Sequence, residues 1–262
     1  MYEVEQEPFP EEFQRAWSCA GKHLDRMAGP GLQWLRAWLT PPVAEHLAFR
    51  MGNQVIFIFV EVDEVWTYDG PRRSLFLEVS HEAHATPCVM PMLPRAGSYV
   101  PALPGWGLRH AETGEIVDPV ALVSDERIEM SDWELHDFAV QVVRDQLVKE
   151  GKTLWSWQSS LHIDPSLWFE DEAGPAWVVV RVVRSPSIEA PVPENVEAIR
   201  ASVARVSPRG FFASVAVANA DDPFDPAKGP VPLWRGHGMY VRYTGLEEVC
   251  GGGEPAGDGG RG

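Results

Sequence analysis

The run Val55–Val60, VIFIFV, constrains the fold more than any other segment. Its residues are all β-branched or aromatic, which disfavours a helix, and it lacks the polar alternation of a half-exposed strand. The segment Gln54 to Thr67 therefore reads as one long, buried strand. The same run is the longest apolar stretch in the 262 residues. It falls far short of the roughly 18 to 20 residues needed to cross a bilayer. Met1-Tyr2-Glu3 opens an acidic segment and not a basic-then-apolar leader, so a cytoplasmic location without membrane contact is the expectation.

Turn signals and periodicity organise the rest. Residues 1–12 carry Glu3, Glu5, Glu7, Glu11 and Glu12 without a base and read as a solvated acidic arm. Phe13, Ala16, Trp17, Ala20 and Leu24 recur at helical spacing, with a stop at Gly29-Pro30-Gly31. A second short helix is predicted over Leu32 to Leu39. Tyr68-Asp69-Gly70-Pro71 reads as a turn after the long strand, and Leu75 to Ser80 as its antiparallel partner in a β-hairpin. Prolines 87, 91, 94, 101, 104 and 119 mark Thr86 to Pro119 as a loop-rich connector.

Residues 13–123 thus form an N-terminal α+β segment, and 124–249 a second unit. There Ser131-Asp132-Trp133-Glu134 has the form of a capping box, and Leu135, Phe138, Ala139, Val142 and Leu147 continue a helix to Gly151. Trp155 to Ile163 and Ser166 to Phe169 read as extended, with Trp155 and Trp157 on one strand face. Glu170 to Pro175 turns, and Trp177 to Arg184 is a strand. Val196, Ile199, Val203 and Val206 line a short helix. Phe211 to Ala218 is a buried strand, Gly238 to Gly245 the last strand, and residues 250–262 a glycine-rich disordered tail.

The order helix, hairpin, strand, helix, strand from Trp133 to Ala218 resembles the core of the restriction-endonuclease-like nuclease superfamily. The resemblance implies a Mg²⁺ site built from a helix carboxylate, an Asp at the hairpin, and an acid-any-Lys triplet on the next strand. Asp164, in Ile163-Asp164-Pro165, matches the hairpin Asp, and Glu134 and Asp137 match the helix carboxylate. Val179-Val180-Arg181 stands at the triplet, so Val179 replaces the acid and Arg181 the Lys. Valine supplies no oxygen to a hard cation, and a guanidinium stays protonated. The resemblance therefore implies a degenerate site in which Asp164 and Arg181 pair across the vacated metal position. The lysines are only Lys22, Lys149, Lys152 and Lys228, none on that strand. Such arginine-biased usage has the look of a GC-rich bacterial genome.

Other constellations are weaker. His81-Glu82-Ala83-His84 spaces its histidines three apart and not four, and reads as a solvated turn more than a zinc site. Asp221, Asp222 and Asp225 follow a buried strand and read as a cation site or, with Asn219, as a strand-ending turn. Arg235-Gly236-His237-Gly238 reads as an anion cradle or a hairpin loop. Cys19, Cys88 and Cys250 form neither a disulfide framework nor a metal knuckle.

With 22 basic and 38 acidic residues the net charge is −16, which opposes nucleic acid and anionic membranes at long range. Arg181, Arg184, Arg200, Arg205 and Arg209 form the one locally positive region. Arg181, Arg200, Arg205 and Arg209 are accordingly the expected binding residues, for an acidic segment of a protein partner. The expected function is a non-catalytic protein-interaction module without a cofactor. The alternative is a Mg²⁺-dependent nuclease or phosphoester hydrolase using Glu134, Asp137, Asp164 and Arg181, with metal at Asp164 or at Asp221 and Asp222.

Overall fold

The computed structural model describes residues 9–35, 46–221, 224–225, 227 and 229–249. The acidic arm before Phe9, the tail from Cys250, Asp222 and the segment 36–45 lie outside the described residues. The fold is mixed α+β, with two mixed sheets and five α-helices among the described residues. The chain divides into two compact units, one of Tyr2–Glu134 with Pro232–His237, the other of Leu135–Val231 with Gly238–Gly262.

The first unit comprises α1 (Glu11–Ala28), β1 (Gln33–Trp34), β2 (His46–Met51), β3 (Gln54–Val62), α2 (Gly70–Glu82), β4 (Thr86–Arg95), β5 (Ser98–Pro101), β6 (Leu108–His110), β7 (Ile116–Val117) and α3 (Pro119–Leu122). The sheet runs β1-β2-β3-β4-β6-β7, with β5 also on β4. VIFIFV lies in β3 between antiparallel β2 and parallel β4, and all six residues are buried. An interior strand covered on both faces has no use for polar alternation, so its apolar run is continuous. Phe13, Ala16, Trp17, Ala20 and Leu24 of α1 are fully buried, and α1 packs on β3, β4 and β5.

Four expectations for this unit are corrected. Leu75–Ser80 is part of α2 and not a strand, and the hairpin partner of β3 is β2. The buried positions of α2 are Phe76 and Ser80, four apart, which is a helix repeat. Asp69 takes the extended N-cap conformation with a proline in the first turn, so the apparent turn is a helix start. The connector Thr86–Pro119 holds four strands. Pro91 falls where the partner of β4 changes from β6 to β5 and Pro87 just before the pairing with β6 begins, and their carbonyls still accept from Ala102 and Ala111. A missing N–H costs little at such breaks in the ladder. Finally, Gln33 and Trp34 are in a strand where a helix was expected.

The chain passes from the first unit to the second within α4 (Asp132–Lys149). There follow β8 (Thr153–Trp157), β9 (Leu167–Asp171), β10 (Gly174–Arg184), α5 (Val196–Val203), β11 (Gly210–Asn219), β12 (Met239–Tyr243) and β13 (Glu247–Glu248). This is the helix, hairpin, strand, helix, strand order expected from the sequence. The sheet runs β12-β11-β10-β9-β8, with β13 on β11. β8, β9 and β10 form an antiparallel meander, and β10 and β11 are parallel, joined through α5.

Trp168 of β9 pairs with Trp177 of β10, which pairs with Gly210 of β11. A Cβ at Gly210 would stand 2.0 Å from Trp177 Cζ2, so the missing side chain is what lets the indole lie across the sheet. Trp177 and Val179 pack with Ile199 of α5 on this face. Trp155 and Trp157 do not share a face as expected. A bulge between Leu154 and Ser156 shifts the register, leaving Trp157 opposite Leu167.

Candidate functional site

The Leu135–Val231 unit brings Asp164 and Arg181 together. Arg181 follows the buried residues Val178, Val179 and Val180 on β10, and Asp164 precedes β9. The contact is bidentate: Arg181 Nη1 donates to Asp164 Oδ1 at 3.0 Å, and Nη2 to Oδ2 at 2.6 Å. Nη1 also donates to the Val180 carbonyl at 2.8 Å. Both carboxylate oxygens are thereby engaged, in the geometry that suits a planar guanidinium. The expected pair is present. Its side chains are partly open, 28% exposed for Arg181 and 13% for Asp164.

His136 of α4 lies beside this pair and is 3% exposed, and its Nε2 has no hydrogen-bond partner among the described residues. Burial, reinforced by the Arg181 charge and opposed by that of Asp164, pushes the imidazole down to about 4. It is a neutral ring at physiological pH. The next residue, Asp137, accepts from the buried Ser159 hydroxyl and from Gln141 Nε2. Val179 is fully buried against Trp177 and Ile199.

A second pair closes the β9–β10 turn. Arg209 Nη1 and Nη2 donate to Asp171 at 2.8 and 3.1 Å, and Nη1 also to the Gly174 carbonyl. Lys152 adds a contact of 3.3 Å. Arg209 first, then the Ala173 N–H and Lys152, hold the Asp171 carboxyl well below the ordinary range, against burial.

These pairs revise the arginine face. The anions that neutralise Arg181 and Arg209 lie upstream of the arginine-rich region, at Asp164 and Asp171. Arg200 makes one exposed 3.4 Å contact to Glu197 in the same helix. Of the expected binding set, Arg181 and Arg209 are thus internal partners, not free cations.

Glu134 and Arg235 belong to the first unit, where they form its most buried charged cluster. Ser131 N–H donates to Glu134 Oε2 at 2.9 Å and Glu134 N–H to Ser131 Oγ at 3.2 Å, which is the expected capping box. The same carboxylate takes Arg235 Nε at 3.0 and 2.8 Å and Nη2 at 2.7 Å. Nη2 also reaches the carbonyls of Ala83 and His84 at 3.0 and 3.1 Å. Each side chain is 2% exposed. Arg235 stands in the turn Trp234–His237 before β12, and its side chain is a buried anchor on Glu134, not an open anion cradle. Sequence reading missed this pair because its members lie 101 residues apart.

The remaining candidates stay separate. Asn219 closes the turn after β11, its Oδ1 accepting from the Asp221 backbone N–H at 3.0 Å. His81 ends α2 and faces Glu112 at 3.5 Å, and His84 follows with a positive φ. Among the described residues no three His, Cys, Asp or Glu side chains converge as a metal-holding group. No helix among them is long and apolar enough to cross a membrane. Burial pushes the Cys88 thiol up to about 12, which leaves it unreactive.

Comparison with known proteins finds no match among curated proteins and none among solved structures. Residues 133–249 match the model of a family described as a domain of unknown function (DUF8840). That span, less than half of the chain, runs from the first turn of α4 through β13 and includes the Asp164–Arg181 pair.

Proposed function

We propose that this protein is a non-catalytic protein-interaction module whose DUF8840-like region is a degenerate nuclease-like core. The bidentate contact of Arg181 with both oxygens of Asp164 carries the reading. A divalent ion at Asp164 requires several oxygen ligands within about 2.0–2.6 Å. Arg181 already holds that carboxylate and brings its own positive charge to the place where the ion would stand. Val179, at the position of the second acid, is apolar and buried. Glu134 and Asp137 are committed to Arg235, Ser159 and Gln141. The order from α4 to β11 supports the likeness to the nuclease core, and the loss of its acid and lysine supports the absence of hydrolysis.

The test is cleavage of duplex DNA, single-stranded DNA and RNA by the full chain in Mg²⁺ and in Mn²⁺. The expected result is no product above that of the Asp164→Ala variant. Cleavage that disappears in Asp164→Ala overturns the proposal in favour of a metal-dependent nuclease.

A further inference from the structure

One edge of the second unit's sheet is built unlike the other. β8 and β12 are the terminal strands among the described residues. Natural edges are guarded by charge, proline, bulges or covering structure, because their unpaired N–H and C=O groups invite another strand; β8 has a bulge but neither charge nor proline. β12 carries Arg242. From Thr153 to Ile163 the chain has no Asp, Glu, Lys or Arg, in a protein where such residues make up 23%. Thr153, Trp155 and Ser156 are exposed, while the Arg144 guanidinium of α4 lies over Trp157, 5.4 Å from its ring centroid.

The bulge in β8 has a second consequence. It takes Trp155 out of the face that Trp157 shares with Leu167 and brings its indole to the side of Trp168 and Glu170. There Trp155 Nε1 donates to Glu170 Oε2 at 3.1 Å. The indole is 44% exposed and held beside a carboxylate. An aromatic face next to an anion is a receptor for an alkylammonium or guanidinium group. Glu172 adds an exposed acid in the adjoining turn, and the net charge of −16 attracts a basic segment while opposing a second copy of the chain.

We propose that β8 is the docking edge of this module. An extended, lysine- or arginine-bearing segment of a partner protein adds to it as a further strand, with one basic side chain over Trp155 beside Glu170. The mode is strand addition, in which backbone hydrogen bonds supply affinity and a side-chain contact supplies selectivity. This rests on the interaction reading above, and it replaces an acidic ligand with a basic one.

The probe is a library of random displayed dodecapeptides, selected on the full chain and counter-selected on its Trp155→Ala variant. The expected winners are β-prone sequences with net positive charge, binding Trp155→Ala and Glu170→Gln at least tenfold more weakly than the native chain. Circular dichroism shows that the variants remain folded, and alternate N-methylation of a winning peptide abolishes binding. Acidic winners, winners indifferent to Trp155, or no enrichment overturn the proposal. So does concentration-dependent dimerisation lost in Trp155→Ala, which assigns the edge to self-association. None of these outcomes bears on the cleavage assay, so the docking edge and the non-catalytic reading fail separately.

Discussion

Two of the three forked arginine–carboxylate pairs among the described residues, Glu134–Arg235 and Asp164–Arg181, differ in burial. Glu134–Arg235 is 2% exposed on both sides, and its polar atoms are shared with Ser131, Ala83 and His84. Asp164–Arg181 is 13% and 28% exposed, and Arg181 also donates to the Val180 carbonyl. A buried pair contributes little over an apolar substitute but leaves a costly bare charge when one partner is removed. A partly solvated pair gains water when broken, so its loss is mild. The first pair is therefore a structural clasp. The second is a partly open pair whose removal the fold tolerates.

The comparison breaks most readily at Arg235. Arg235→Ala leaves Glu134 buried and unpaired, and is expected to cost about 3–5 kcal/mol in urea unfolding followed by tryptophan fluorescence. A Glu134→Leu, Arg235→Met double variant recovers most of that loss. A loss in Arg235→Ala no larger than that in Arg181→Ala would remove the distinction between the pairs.

Acid acts next, through His136. Its ordinary value is 6.5, and it lies at about 4 in the folded chain. Between these values the unfolded chain binds the proton and the folded chain does not. The His136 contribution is therefore intact above pH 6.5 and is lost as pH falls through 4. The loss amounts to roughly 3 kcal/mol, and His136→Leu flattens that part of the stability profile.

Gly210→Ala forces a Cβ against the Trp177 indole and is expected to cost about 1–3 kcal/mol, relieved in part by Trp177→Leu. Smallest is Arg181→Ala, at about 1 kcal/mol, visible as a shift of the unfolding midpoint without a change of slope.

What was legible in the sequence was local. The Ser131–Glu134 box was readable because both of its hydrogen bonds close within three residues. β10, α5 and β11 were readable from apolar runs interrupted only by Arg181 and Ser214 and from a helical stripe. Asp164 and Arg181 were singled out by their place in a family-like order and lie 17 residues apart across the hairpin. Leu75–Ser80 misled because Leu75, Leu77 and Val79 alternate like a strand, while the buried positions are Phe76 and Ser80. The strand β4 was hidden by its three prolines, of which Pro91 falls at the break between the partners β6 and β5. Arg235 and Arg209 carried no local signal, since the acids that explain them are 101 and 38 residues away. The turned-out Trp155 depends on a single bulge that spacing alone does not reveal.

The central claim is that Arg181 stands where a divalent ion would be held. Titration of the full chain with Mn²⁺, read by the paramagnetic resonance of the free ion, tests it most directly. The account predicts no stoichiometric uptake that distinguishes the native chain from Asp164→Asn. One bound Mn²⁺ per chain, lost in Asp164→Asn, would contradict it.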